Sequence, residues 1–417
     1  METVLRVFRQ TFWQLLGKFI TALSTILILA LISRQFGETG TGIFTLALTY
    51  LAFFTIAVDF SLNAYLIPSL LKDGLLADWR KLFGLRLILA APLIIIALAI
   101  ALIGPFPPIF KQIIIFGSLM AILEPAIFIT CNAIFQIRLR YDLSVIAWST
   151  GALVTLGLIF LQVRLGGLLS NLIWAYIAGW IVTSIFALIF VKKFIKDIKP
   201  IFDFKFIRNV LTGAWPISTT LVLNVLYFRL DAFILSQVYS FKEVGIYNLA
   251  YQFFQSGLVL PTFIMNSYFP LMVQNLSNNV LLSSNKERFK SNLIKTCLIM
   301  LLISVLGLGL TYFYGGFFIE LVTGGKGFIG SFKSLQILSL SFPAYFVSAV
   351  LMWAMVALKK YKTILLIYLI GLLTNFIFNL YLIPRFSYLG AAAVTGISEY
   401  LILALQITIL YQYFKSK

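Results

Sequence analysis

Twelve long apolar stretches divide this chain, at 12–33, 41–66, 84–103, 110–136, 144–162, 169–191, 207–237, 243–273, 293–314, 331–358, 362–382 and 388–411. No other feature limits its fold so sharply. A bilayer hydrocarbon layer of ~30 Å is crossed by about 20 apolar residues in helical form, and each stretch is long enough to do that. Hydrophobic residues make up 61% of the 417, and charged residues only 11%. A soluble core cannot hide that much apolar surface, so the expected fold class is an all-α integral membrane protein of twelve transmembrane helices.

The basic residues set the orientation. With the N-terminus in the cytoplasm, 24 of the 32 Lys and Arg fall on that side, many of them in the lysine-rich connection from Lys192 to Arg208. Seven fall opposite (Arg34, Lys111, Arg164, Lys242, Lys326, Lys333 and Arg385), and Arg229 stays inside a span. Such a bias places both termini in the cytoplasm. Topology thus accounts for the net charge of +18 without nucleic acid. Arg6, Arg9 and Lys18 lead into a full-length first span, which reads as retained rather than cleaved.

Several chemistries are excluded. The chain has no histidine, which removes His-based acid–base catalysis and His-ligated metals. Its two cysteines, Cys131 and Cys297, lie far apart in apolar surroundings and read as packing residues. No nucleotide-binding G-x-x-x-x-G-K-[ST] occurs, so transport energy would come from an ion gradient, the membrane potential or downstream use of product. The longest external connection, 315–330, is short and Gly-rich, too small for a catalytic domain. Neither an enzymatic activity nor a cofactor is expected.

The chain also repeats. A shift of 203 brings Ser33 onto Ser236, Gly42 onto Gly245, Asn63 onto Asn266 and Tyr65 onto Tyr268. A shift of 218 to 220 brings Pro125 onto Pro343, Tyr141 onto Tyr361 and Gly151 onto Gly371. A shift of six spans keeps each helix's sidedness, so the expectation is two six-helix lobes, 1–199 and 200–417, related by a parallel pseudo-two-fold repeat. Duplicated carriers of this kind work by alternating access.

The stretch LDAFILSQVYSFKEVGIYNLAYQF (230–253) resembles a signature of polysaccharide-biosynthesis flippases: an Asp, an aliphatic run, then Val-Gly-x-Tyr-x-x-Ala. Here these positions are Asp231, Ile234, Leu235, Val244, Gly245, Tyr247 and Ala250. LIPRFSYLGAAAVTGISEY (382–400) is similar to the same family's ending. The family is the Wzx-type O-antigen flippase branch of the multidrug/oligosaccharidyl-lipid/polysaccharide (MOP) exporter superfamily, and the resemblance covers the whole chain. It implies a MATE-like fold in the bacterial inner membrane and a part in lipopolysaccharide or other surface-polysaccharide biosynthesis. The implied substrate is an undecaprenyl-diphosphate-linked oligosaccharide, moved from the cytoplasmic to the periplasmic leaflet. Membrane lipids, a polysaccharide polymerase, a chain-length regulator and a coupling ion (proton or sodium) are the implied partners. The alternatives are a MATE-like multidrug or metabolite exporter and, less well supported, a membrane polymerase or ligase, which would need a large external loop.

Among the ionisable residues inside spans, five are site candidates: Asp59, Glu124, Arg229, Asp231 and Glu399. A charged residue at a helix centre costs on the order of 2.5–3.5 kcal/mol, so each should face a cavity or a partner. Arg229 and Asp231 point about 200° apart around a helix and should not pair with each other. Arg229 is a candidate for a substrate diphosphate, or else snorkels to the interface. Asp231 is a candidate gating or structural residue, with a basic group near the external face as its candidate partner. Asp59, one turn from Asn63, is a candidate for ion coupling or sugar contact, or packs against a cytoplasmic lysine. Its repeat partner position holds Thr262, while Asn266 and Tyr268 recur. Glu124 and Glu399 are candidates for proton uptake or for interhelical hydrogen bonds. Pro68, Pro216, Pro261 and Pro270 should kink the cavity helices. Tyr65, Tyr247 and Tyr268 are candidates for stacking on sugars.

Overall fold

The computed structural model describes residues 2–70, 76–277 and 283–415, which are almost wholly helical, with no strand among them. The elements in chain order are α1 (Glu2–Asp59), α2 (Leu62–Leu70), α3 (Leu76–Ile103), α4 (Pro108–Gly117), a π-helix (Ile122–Ile129), α5 (Thr130–Ile137), α6 (Tyr141–Arg164) and α7 (Leu172–Val191). Then follow α8 (Phe204–Val238), α9 (Phe241–Gly257), α10 (Val259–Ser277), α11 (Ser283–Thr323), α12 (Ile329–Ser339), α13 (Phe342–Ala357) and α14 (Tyr361–Lys415). Among the described residues seven helical segments are long and apolar enough to cross a membrane, or eight if α12 and α13, bent by 42°, form one span.

Two of these segments are too long for one crossing. The 55 residues of α14 would extend about 80 Å at 1.5 Å per residue, against ~30 Å of hydrocarbon. The backbone breaks where the length argument requires it. Gly37 in α1 has φ 62° and ψ −164°, and Ser387 in α14 has φ 53° and ψ −136°, so each segment is two helices meeting at a kink. Gly37 lies 203 residues before Ser240, the N-cap of α9, so the same shift that aligns the sequence halves aligns these breaks.

Another turn repeats in detail. Leu139 and Lys359, 220 residues apart, both take left-handed φ (51° and 58°) just after α5 and α13. After each, the next residue's N–H reaches back five positions: Arg140 N to Phe135 O at 2.7 Å, and Lys360 N to Met355 O at 2.9 Å. Both are Schellman turns, which satisfy the last carbonyls of a helix and redirect the chain. Tyr141 and Tyr361 then start the next helices.

The chain packs as two compact units, Met1–Leu226 and Tyr227–Lys417, with the boundary inside α8. The first half of α8 belongs to the first unit, where Ile207, Val210 and Ala214 pack with Leu62, Leu66, Leu82, Leu85 and Ala133. The lysine-rich connection is strapped to the start of α3. Arg80 pairs with Asp197 at 2.8 Å and its Nε donates to the Lys199 carbonyl at 2.7 Å, while Ile201 N donates to the Arg80 carbonyl at 3.0 Å. Gly84 permits this approach, since a Cβ there would overlap the Ile201 carbonyl. Asp203 closes the strap. The Phe206 N–H foremost, and then Lys81, hold its carboxyl below the usual range.

Of the prolines expected to kink helices, Pro261 sits in the first turn of α10, directly after the break at Leu258. The helices α2, α8 and α10 continue through positions 68, 216 and 270, whose side chains lie outside the described residues.

Candidate functional site

In the first unit the sequence leads the chain to place a carboxylate at a forced break. α1 ends at Asp59, and Phe60 and Ser61 follow with φ of 49° and 51°, a conformation that non-glycine residues rarely take. The freed Phe60 carbonyl accepts from Ser218 Oγ at 2.5 Å. Across from the break, α3 carries Arg86, which is fully buried. Its Nη2 donates to Asp59 Oδ1 at 2.5 Å and to Asn63 Oδ1 at 3.0 Å, and its Nη1 donates to Thr130 Oγ1 at 2.9 Å. Asp59 therefore has an arginine partner rather than the cytoplasmic lysine that the sequence offered.

The same cluster stabilises the π-helix. The wider turn around Glu124 and Pro125 disturbs the normal carbonyl pairing, and π-helical segments are often found at functional sites. Side chains from other elements take up the loose carbonyls. Ser184 Oγ donates to Leu123 O at 3.0 Å, Asn63 Nδ2 to Ile129 O at 3.0 Å, and Trp79 Nε1 to Thr130 O at 2.8 Å. Thr130 Oγ1 lies 3.4 Å from Pro125 O. Asn63 thus joins two roles, acceptor for Arg86 and donor to the π-helix.

These elements wall a pocket of about 670 Å³ within the first unit. Asp59, Ser61, Asn63 and Glu124 line one side, and Asn132, Gln136, Trp148 and Trp180 line the remainder with a few apolar side chains. Three residues singled out from the sequence, Asp59, Asn63 and Glu124, are therefore brought together. The buried Oδ1 of Asn132 and the hydroxyl of Ser61 have no protein partner among the described residues.

The second unit resolves the Arg229–Asp231 problem. The two do not bond to each other; both reach α9, which runs back past α8. Asp231, 3% exposed, accepts a short hydrogen bond from the Tyr247 hydroxyl and one from Ala232 N at 2.7 Å. Its partner is a phenol rather than the basic group considered from the sequence. Arg229 donates through Nη2 to Gln255 Oε1 at 2.9 Å and stacks over the Tyr251 ring at 4.6 Å. Tyr247, Tyr251 and Gln255 recur every four residues and so share one face of α9. Tyr247 is buried and engaged by Asp231, which leaves it unsuited to stack on a sugar.

Glu399, 2% exposed in α14, accepts from the Tyr227 hydroxyl at 3.0 Å. Tyr268 stands half-buried on α10. Asn266 lies on the same helix, and its side chain falls outside the described residues. The sequence reading missed Arg86 altogether. It lies two residues inside the span drawn at 84–103 but was grouped with the loop cations. Trp148, Trp180, Asn132 and Gln136 of the pocket carried no charge signal and were also missed.

The profile of the family described as polysaccharide biosynthesis protein matches residues 7–276. The chain belongs to that family. The MatE profile matches residues 216–381. No curated protein matches the sequence. Among solved structures, the lipid II flippase MurJ in an inward closed conformation is 16% identical, with a TM-score of 0.71 over 95% of this chain and 87% of MurJ. An inward-facing multidrug resistance MATE transporter of the MOP superfamily is 14% identical, with a TM-score of 0.72 over 95% of both chains. An outward-facing MATE transporter of that superfamily is also 14% identical, with a TM-score of 0.63 over 99% of this chain and 96% of the other. At these identities the likeness establishes the fold. The family member is thus a multi-pass membrane protein with a MurJ- and MATE-like helical fold.

Proposed function

We propose that this protein is a flippase that carries an undecaprenyl-diphosphate-linked oligosaccharide from the cytoplasmic to the periplasmic leaflet by alternating access. The family match and the flippase fold of one structural relative support this reading. The single observation that carries it is the pocket of about 670 Å³ in the first unit, where amides and carboxylates stand beside two tryptophans inside membrane-spanning helices. Hydroxyl-rich rings need donors and acceptors on their edges and flat apolar faces against their C–H surfaces. Polar and ionisable groups inside spans face a cavity or pair with one another, and here they do both.

Arg229 is the candidate for the diphosphate. Only one of its five N–H donors is engaged among the described hydrogen bonds, and its guanidinium carbon lies 4.6 Å from the centre of the Tyr251 ring. The reading includes twelve crossings, two six-helix halves near 1–199 and 200–417, both termini in the cytoplasm and location in the inner membrane. A coupled proton or sodium ion, with Asp231, Asn266, Tyr268 and Glu399 as coupling or gating candidates, completes it.

The test is deletion of the gene in its host, with surface polysaccharide and the sidedness of lipid-linked oligosaccharide both measured. Loss of polymer with complete lipid-linked units trapped on the cytoplasmic leaflet is the expected result. Well-expressed Arg229→Ala should fail to restore export. Normal polysaccharide with altered drug tolerance would replace the reading with a drug exporter, and flipped but unpolymerised units would indicate a polymerase.

A further inference from the structure

The first unit's pocket has an unequal charge content. Asp59 and Glu124 both line it, and no lysine or arginine does among the described residues. Arg86 is not in the lining and is fully buried, and its Nη groups are engaged by Asp59, Asn63 and Thr130. Its charge is matched to Asp59, which leaves Glu124 without a basic partner in the lining.

A ligand in this space meets a consistent set of contacts. Asn132 and Gln136 carry amides that offer both donors and acceptors. The carboxylates accept from hydroxyl groups. Trp148 and Trp180 supply broad apolar faces, and Trp180 is held at 5.9 Å from the Phe128 ring. The volume lies within the ~300–1,000 Å³ common for small-ligand sites. An uncharged sugar ring satisfies all of these groups. A sugar bearing a carboxylate would lose its water beside the unmatched Glu124, with no cation in the lining to pair with it.

We propose that this pocket is a subsite for uncharged sugar rings and that it rejects rings carrying a carboxylate. The proposal deepens the flippase reading by naming which part of the substrate the first unit takes. It also casts Arg86 as a positioning residue that holds Asp59 and Asn63 in the wall, and not as a contact for an anionic ligand.

The experiment uses the purified full-length protein and free sugars, so its outcome does not depend on transport. Saturation-transfer NMR would be recorded on a 1:1 mixture of an uncharged disaccharide and the same disaccharide with one ring oxidised to its uronate. The expected result is transfer to the uncharged sugar, with apparent affinity at least about tenfold above that of the uronate. Trp180→Ala should remove the transfer. Glu124→Gln, which keeps the size of the side chain, should narrow the preference severalfold by raising uronate binding. Glu124→Lys should reverse it, provided that its thermal melt matches the wild type. Equal binding of both sugars, no transfer to either, or a preference unaltered by Glu124→Gln would each overturn the proposal. Such a failure would leave the flippase reading to be judged on the leaflet assay alone.

Discussion

Arg86 offers the most direct test of how the pocket wall is held. Its guanidinium is completely buried, and the Asp59 side chain opposite is 23% exposed. The pair is joined at 2.5 Å and is supported by Asn63 at 3.0 Å and Thr130 at 2.9 Å. Removing one member of a buried pair leaves the other charge uncompensated, which costs about 3–5 kcal/mol. Replacing both by apolar groups of similar volume is near neutral, because the two desolvation penalties vanish together. Arg86→Met and Asp59→Leu should each destabilise strongly, and the double variant should recover most of the loss.

With about 2–4 °C of melting temperature per kcal/mol for a unit of roughly 200 residues, each single change should lower the melt by about 6–20 °C. The assay is the thermal melt of detergent-purified protein, read as loss of the monodisperse peak for wild type, both single variants and the double. A cycle coupling of at least about 2 kcal/mol is expected for groups in direct contact. A double variant as unstable as the sum of the singles would show that the two charges are independently solvated, and the wall argument would fail.

In the second unit, Tyr247→Phe removes the donor to a buried carboxylate and should cost about 1–3 kcal/mol, read as a lower melt that Asp231→Asn largely relieves. Gly151→Leu should force α6 and α7 apart, because even a Cβ there overlaps Thr183 and the Gly179 carbonyl. Overpacking of this kind costs about 1–3 kcal/mol, and a larger melt shift for Leu than for Ala would check it. Lys359→Gly should raise stability by roughly 0.5–1 kcal/mol, since glycine takes the left-handed turn without a Cβ clash. The Asp203 anchor should depend on pH in one direction. Its carboxyl is depressed in the folded chain, so its contribution is complete above an unfolded value of about 3.9 and is lost as pH falls through the lower folded value. Pepsin cleavage of the 192–203 strap, divided at each pH by cleavage of the free 192–203 peptide, should therefore rise only at the acid end of a pH 5 to 2 series, and a constant ratio would refute the anchor.

The fold was readable where it depends on apolar length and on backbone punctuation. Apolar runs predicted the helices, and the correspondence of Tyr141 with Tyr361 marked two Schellman turns whose geometry recurs at Leu139 and Lys359. Asp59 and Glu124 were readable as site candidates because acids inside spans are rare enough to stand out, and Asn63 because it lies one turn from Asp59 and recurs at Asn266. Arg86 was not, and the reason is physical. A cation two residues inside a span can snorkel to the interface or turn inward, and its own helix is compatible with both. What decides is the environment supplied by α1, α2 and α5, whose contributing residues lie 27, 23 and 44 positions away. Moving Arg86 out of the loop tally leaves 23 basic residues against seven, so the orientation argument survives the correction. Arg229 and Asp231 show the same limit from the other side. Their 200° divergence on α8 correctly ruled out a mutual pair, yet it could not show that both reach one face of α9. Helical geometry predicts which residues cannot meet within a helix. Only the neighbouring helix determines whether a buried charge is a latch or a ligand contact, and here it makes Arg86 the first and leaves Arg229 free to be the second.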